Sequence, residues 1–164
     1  MNLIVYTGPV IALAKIKQLQ LLNDLSDYVF IAEAVYKELM AKTGSEVKEI
    51  DVALKQYITV LTDTQNRATK EKDRNLRHLG PGEKESILIS YLHQDDSILV
   101  LDDKVARQAA RKLSITFTGT VGIIIQAKNE GLIDSATEAL IEMRNHGYWL
   151  SSTIIEETRK VTGE

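Results

Sequence analysis

The stretch Ile98-Leu99-Val100-Leu101-Asp102-Asp103-Lys104-Val105-Ala106-Arg107 reads as a buried strand that stops on two carboxylates and turns into a helix. The apolar run Ile98–Leu101 has strand length and no helical spacing. Lys104–Leu113 then carries helical period. Two readings of the acids follow. In one, Asp102 caps the helix and Asp103 sits against its positive end. In the other, two adjacent carboxylates at a strand's carboxyl end hold a hard divalent cation through oxygen ligands.

Outward from this stretch, the same strand-then-helix unit recurs. Short runs rich in β-branched and aromatic residues predict strands at Leu3–Tyr6, Tyr28–Ile31, Tyr57–Leu61 and Ser114–Phe117, beside Ser97–Leu101. Helices are predicted at Ala32–Ala41, Glu46–Gln56, Thr64–His78, Glu83–His93, Val121–Glu130, Ala136–Arg144 and Ser152–Val161. The two prolines, Pro9 and Pro81, each stand beside a glycine where such a turn is needed. Strands alternating with helices imply an α/β fold around a central, mostly parallel sheet. In such folds functional groups gather beyond the carboxyl ends of the strands.

Composition narrows the class. In 164 residues, 44% are hydrophobic and 26% charged, which suits one domain with a real core and excludes disorder and collagen-like repeats. The longest uncharged apolar stretches, near Leu3–Ala14 and Ser97–Leu101, fall short of a bilayer span, and the first residues lack a basic signal-peptide region. No cysteine is present, so disulfides and thiolate catalysis are excluded and a cytoplasmic setting is expected. A net charge of −3 argues against coating nucleic acid by bulk charge, though not against a local basic grip.

Several further residues carry chemistry or a plainer role. Glu83 opens a helix after Gly80-Pro81-Gly82, with Glu85 two residues on, where acids are ordinary dipole partners. Glu38 lies in Val35-Tyr36-Lys37-Glu38-Leu39 with a basic neighbour. Thr118-Gly119-Thr120-Val121-Gly122 offers free amides at a helix start, suited to a tight turn or to a phosphate. Lys104, Arg107 and Arg111 recur along one side of a helix, either as a solvated face or as a phosphate grip. His78, His93 and His146 show no zinc-ligand spacing.

Taken in order, these pieces resemble one family. Ile4-Val5-Tyr6-Thr7-Gly8-Pro9-Val10-Ile11-Ala12-Leu13-Ala14-Lys15-Ile16 is similar to the opening of PIN-domain (PilT N-terminus-like) nucleases, in a prokaryotic branch of PIN-like proteins. Val35–Leu39, Gly82–Ile87, Leu101–Arg107, Gly119–Gly122 with Gly131-Leu132-Ile133, and Arg144-Asn145-His146-Gly147-Tyr148 match later blocks. The resemblance implies a three-layer α/β/α fold over 1–164, with 132–164 a C-terminal helical extension packed on it.

The resemblance also implies a function. PIN domains gather acids around Mg²⁺ or Mn²⁺ and hydrolyse RNA, many as toxins of type II toxin–antitoxin pairs, and homodimers are common among them. By position, Glu38, Glu83 and Asp103 match the catalytic acids, with Asp102 a further metal ligand. Tyr6, Thr7, Glu85, Thr118 and Thr120 fall near the site. The family's first Asp is Tyr6 here. A phenol with a pKa near ~10 is a poor ligand for a hard cation. The expectation is therefore a metal-dependent endoribonuclease weakened or inactivated by Tyr6, with weak Mg²⁺ or Mn²⁺ binding. The alternative is a non-catalytic degenerate PIN domain that binds RNA or a protein partner. A cognate antitoxin and a homodimer are the other partners implied.

Overall fold

A computed structural model describes residues 1–62 and 74–164. Five strands form one sheet: β1 (Asn2–Val5), β2 (Tyr28–Ala32), β3 (Ile58–Leu61), β4 (Ser97–Val100) and β5 (Phe117–Thr118). Their order is β3-β2-β1-β4-β5, and every neighbouring pair is parallel. Parallel strands require crossovers, and helices supply them on both faces, giving three α/β/α layers. β1 is central, and Leu3, Ile4 and Val5 are buried on both of its faces. That burial explains why β1 reads as an unbroken apolar run rather than an alternating one.

The described helices are α1 (Thr7–Lys15), α2 (Leu21–Asp24), α3 (Glu33–Met40), α4 (Val47–Gln56), α5 (Pro81–Leu92), α6 (Lys104–Lys112), α7 (Thr120–Asn129), α8 (Ala136–Asn145) and α9 (Ser152–Thr162). α1 packs against α3, α4, α7 and α8, while α5 packs against β1, β2, β4 and α6. Local chemistry sets many of the ends. Pro81 takes the first position of α5, where its missing N–H costs nothing. Ser135 and Ser151 cap α8 and α9 by accepting from the Glu138 and Ile154 amides at 3.0 and 3.2 Å. α8 and α9 pack on each other and on α7, and Glu164 accepts from the first two amides of α8.

Two expectations need correction. The strand expected over Ser114–Phe117 instead covers Phe117–Thr118. Ser114 adopts a left-handed φ of 57°, with the Ser114 and Ile115 amides bonded to the carbonyls of Arg111 and Ala110. Those two bonds close α6 and delay the strand. The helix expected over Thr64–His78 lies largely outside the described residues. Its last part is a 3₁₀ turn at Arg74–Leu76.

The topology also marks a crevice. From β1 the chain builds outward through β2 and β3, then returns to the other side of β1 as β4. The carboxyl ends of β1 and β4 therefore flank the point where the winding reverses, the usual ligand crevice of open α/β sheets. Val5 pairs with Val100, and the Tyr6 amide donates to the Val100 carbonyl at 3.0 Å. Tyr6 and the pair Asp102-Asp103 thus leave adjacent strands at the same edge.

Candidate functional site

Tyr6 is the last extended residue before α1, and its half-buried ring packs into the crevice. Thr7, the first residue of α1, is buried and donates its hydroxyl to the Glu38 carboxylate from α3. Gly82, in the first turn of α5, lies against both groups. A Cβ there would collide with the Glu38 carboxylate and come within 3.0 Å of the Tyr6 ring. Glycine lets the start of α5 approach both side chains closely here, and its φ is ordinary.

The Tyr6 phenol is pushed up to about 12, first by burial and then by repulsion from Glu38, Glu83 and Asp103. At neutral pH it is an uncharged hydroxyl facing three carboxylates. Glu38, Glu83 and Asp103, distant in sequence, all act on this one ring. They do not form a chelating set. Among the described residues, no three Asp, Glu or His side chains converge where a metal ion could sit.

The local bonds give the reason. Glu83 turns back to accept from the Gly80 amide at 3.1 Å, half of a capping box whose other half needs a side chain that glycine lacks. Asp103 is the cap of α6, accepting from the Ala106 amide at 2.8 Å. The capping role expected of Asp102 thus belongs to Asp103. Carboxylates suit Mg²⁺ or Mn²⁺ by donor type. As arranged, with two turned into helix starts and a neutral phenol among them, they do not fit a tightly held cation.

Asp102 is the more buried acid of the pair and bonds to groups outside the crevice acids. One oxygen accepts from the Thr120 amide at 2.9 Å and lies 3.6 Å from the Arg107 guanidinium. The other accepts from the Thr120 hydroxyl at 2.5 Å and from the Tyr148 hydroxyl. This arrangement corrects one expectation: the first amide of α7, offered as a phosphate site, is already taken by a carboxylate. Thr118 is turned toward Gly122.

Glu85 is turned toward the start of α3. It accepts from the Ala34 amide at 2.9 Å and so caps α3 from a distance. The basic stripe also divides. Arg107 donates to the Leu101 carbonyl at 2.8 Å, pairs with Asp102 and lies 5.7 Å from the Phe117 ring centre. Arg111, 5.5 Å over the same ring, and Lys104 remain exposed. Sequence reading assigned no role to Tyr148, whose hydroxyl is held above its ordinary range by burial and by Asp102. It lies 46 residues from its partner, and no spacing rule reaches that far.

No curated protein and no solved structure matches this chain. The family model DUF3368, described as a PIN domain, matches residues 2–164. Nearly the whole chain is covered, and the all-parallel α/β/α sheet is the architecture that the match implies. The chain belongs to the PIN-domain family.

Proposed function

We propose that this protein is a PIN-type endoribonuclease framework whose divalent-cation site is disabled at its first position, so that it engages RNA and cuts it poorly or not at all. One observation carries this reading: the uncharged Tyr6 phenol stands where Glu38, Glu83 and Asp103 act together. Mg²⁺ or Mn²⁺ would supply water activation and charge neutralisation at such a site. Tyr6 contributes no charge to hold either ion, and its ring takes space beside them. In this reading Glu38, Glu83 and Asp103 are the residual catalytic acids, and Lys104 and Arg111 are the exposed part of the nucleic-acid grip. A type II toxin role, a cognate antitoxin and a cytoplasmic homodimer belong to the same reading. The family resemblance is what suggests them, and the exposed Tyr36 and Met40, one turn apart on α3, are where a protein partner would make apolar contact. No described helix is long and apolar enough to cross a membrane.

The test is Tyr6→Asp, read by Mn²⁺ calorimetry and by cleavage of a broad panel of labelled RNAs. Both metal affinity and cleavage should rise from near zero, and Tyr6→Asp combined with Glu83→Gln should be as inert as the parent. A folded Tyr6→Asp protein that neither binds Mn²⁺ nor cuts RNA would sink the reading. So would brisk Mn²⁺-dependent cleavage by the parent that disappears in Asp103→Asn.

A further inference from the structure

We propose that the groove between α1 and the turn that ends α8 is a subsite for one unpaired nucleobase of single-stranded RNA. The proposal rests on the RNA reading above and adds where and how a nucleotide is held. Gly8 raises the question. It occupies the second position of α1, and a Cβ there would meet nothing within 4 Å. Inside a helix glycine costs up to about 1 kcal/mol relative to alanine. Neither packing nor φ requires it here. What its missing side chain leaves is open floor.

That floor belongs to a cavity of about 160 Å³ lined by Ile11, Ala12 and Met143, with Lys15 and His146 at the rim. At about 30 Å³ per water this is space for roughly five waters, the scale of one planar ring system. Gly147, at φ 88°, forms the opposite wall. The apolar lining suits the faces of a base, and Lys15 suits an adjoining phosphate. The His146 Nδ1 lies 3.0 Å from the Glu142 carbonyl, which sets the Nδ1–H tautomer and leaves Nε2 to accept from a base-edge N–H.

Position favours RNA over an apolar protein side chain as the occupant. Gly8 follows Thr7, the donor to Glu38, and Tyr148, on the opposite wall, is the donor to Asp102. A base in the groove therefore lies beside the acid-lined crevice. Lys15, in the last turn of α1, is the cation of the groove for its adjoining phosphate.

The test measures anisotropy of a labelled single-stranded oligoribonucleotide with EDTA present, so that binding is read without cleavage. Trp149, the single tryptophan, follows Tyr148 and is 83% exposed, and its quenching gives a second readout. Gly8→Leu, which fills the floor, should weaken binding about tenfold, the low end of one stacked base. Gly8→Ala should stay within twofold, and both variants should melt no lower than the parent. Replacing the seated base by an abasic nucleotide should cost the parent the same tenfold and cost Gly8→Leu nothing further. Lys15→Gln should reduce the salt slope by about 0.7, one phosphate contact.

Parent-like binding by Gly8→Leu, or equal abasic losses in both proteins, overturns the subsite while the RNA reading stands. If Gly8→Leu does not fold, an unchanged salt slope in Lys15→Gln overturns it instead. A parent that binds no RNA at all overturns both the subsite and the RNA reading, and leaves a protein partner as the occupant.

Discussion

Tyr6 ties the chemistry of one side chain to the pH response of the whole domain. Its ordinary value is 10.0 and its folded value about 12, so between these the folded chain keeps a proton that the unfolded chain releases. The stabilisation is present below about 10 and is lost as pH rises through 12. Absorbance of tyrosinate should therefore show three late-ionising tyrosines, Tyr6, Tyr57 and Tyr148, one of which disappears in Tyr6→Phe, and the variant's stability should fall less steeply over that window. A Tyr6 that ionises together with exposed tyrosines would mean that the ring is not among the acids. Asp103 has two duties that substitution can separate. Asp103→Ala removes the cap of α6 and should cost about 1 kcal/mol in urea unfolding. Asp103→Asn keeps a capping oxygen and should cost a few tenths at most, which makes it the cleaner probe of charge.

Helix ends show how far local rules reach. α1, α6, α7 and α8 all close with paired carbonyl bonds around a left-handed residue, respectively Lys17, Ser114, Gly131 and Gly147. Two of these four are not glycine, and a left-handed non-glycine costs roughly 1 kcal/mol. Lys17→Gly should therefore raise the melting temperature, by up to about 1 kcal/mol of stability. Gly131→Ala, where a Cβ meets no neighbour, should lower it by a similar ~1 kcal/mol through backbone strain alone. Equal melting of Gly131→Ala and the parent would count against that account. Gly131 and Gly147 are the helix stops a reader expects from sequence. Ser114 is not, and β5 therefore starts later than its sequence pattern predicts.

Over the whole molecule, the network at Asp102 joins β4, α6, α7 and the turn after α8. Asp102→Ala leaves the Thr120 amide, the Tyr148 hydroxyl and Arg107 without their shared acceptor, in a place only partly open to water. The expected loss is about 2 kcal/mol in thermal unfolding, discounted for the exposure of Arg107. Tyr148→Phe should cost less, about 1 kcal/mol, because water can reach the carboxylate. A larger loss in Tyr148→Phe than in Asp102→Ala would mean that the turn is held by its ring and not by the bond.

By itself the sequence determined the alternation of strands and helices, the central apolar strands and most helix starts, because these follow from periodicity and capping within a few residues. It also singled out Glu38, Glu83, Asp103 and Tyr6 by resemblance to a family pattern. The tertiary structure alone decided what each oxygen does. Glu85 caps α3 across 51 residues, Asp102 binds Thr120 and Tyr148 across 18 and 46, and Arg107 turns inward to them. Which donor satisfies a buried carboxylate depends on chain segments that meet only when the sheet closes, and no local spacing encodes such a meeting.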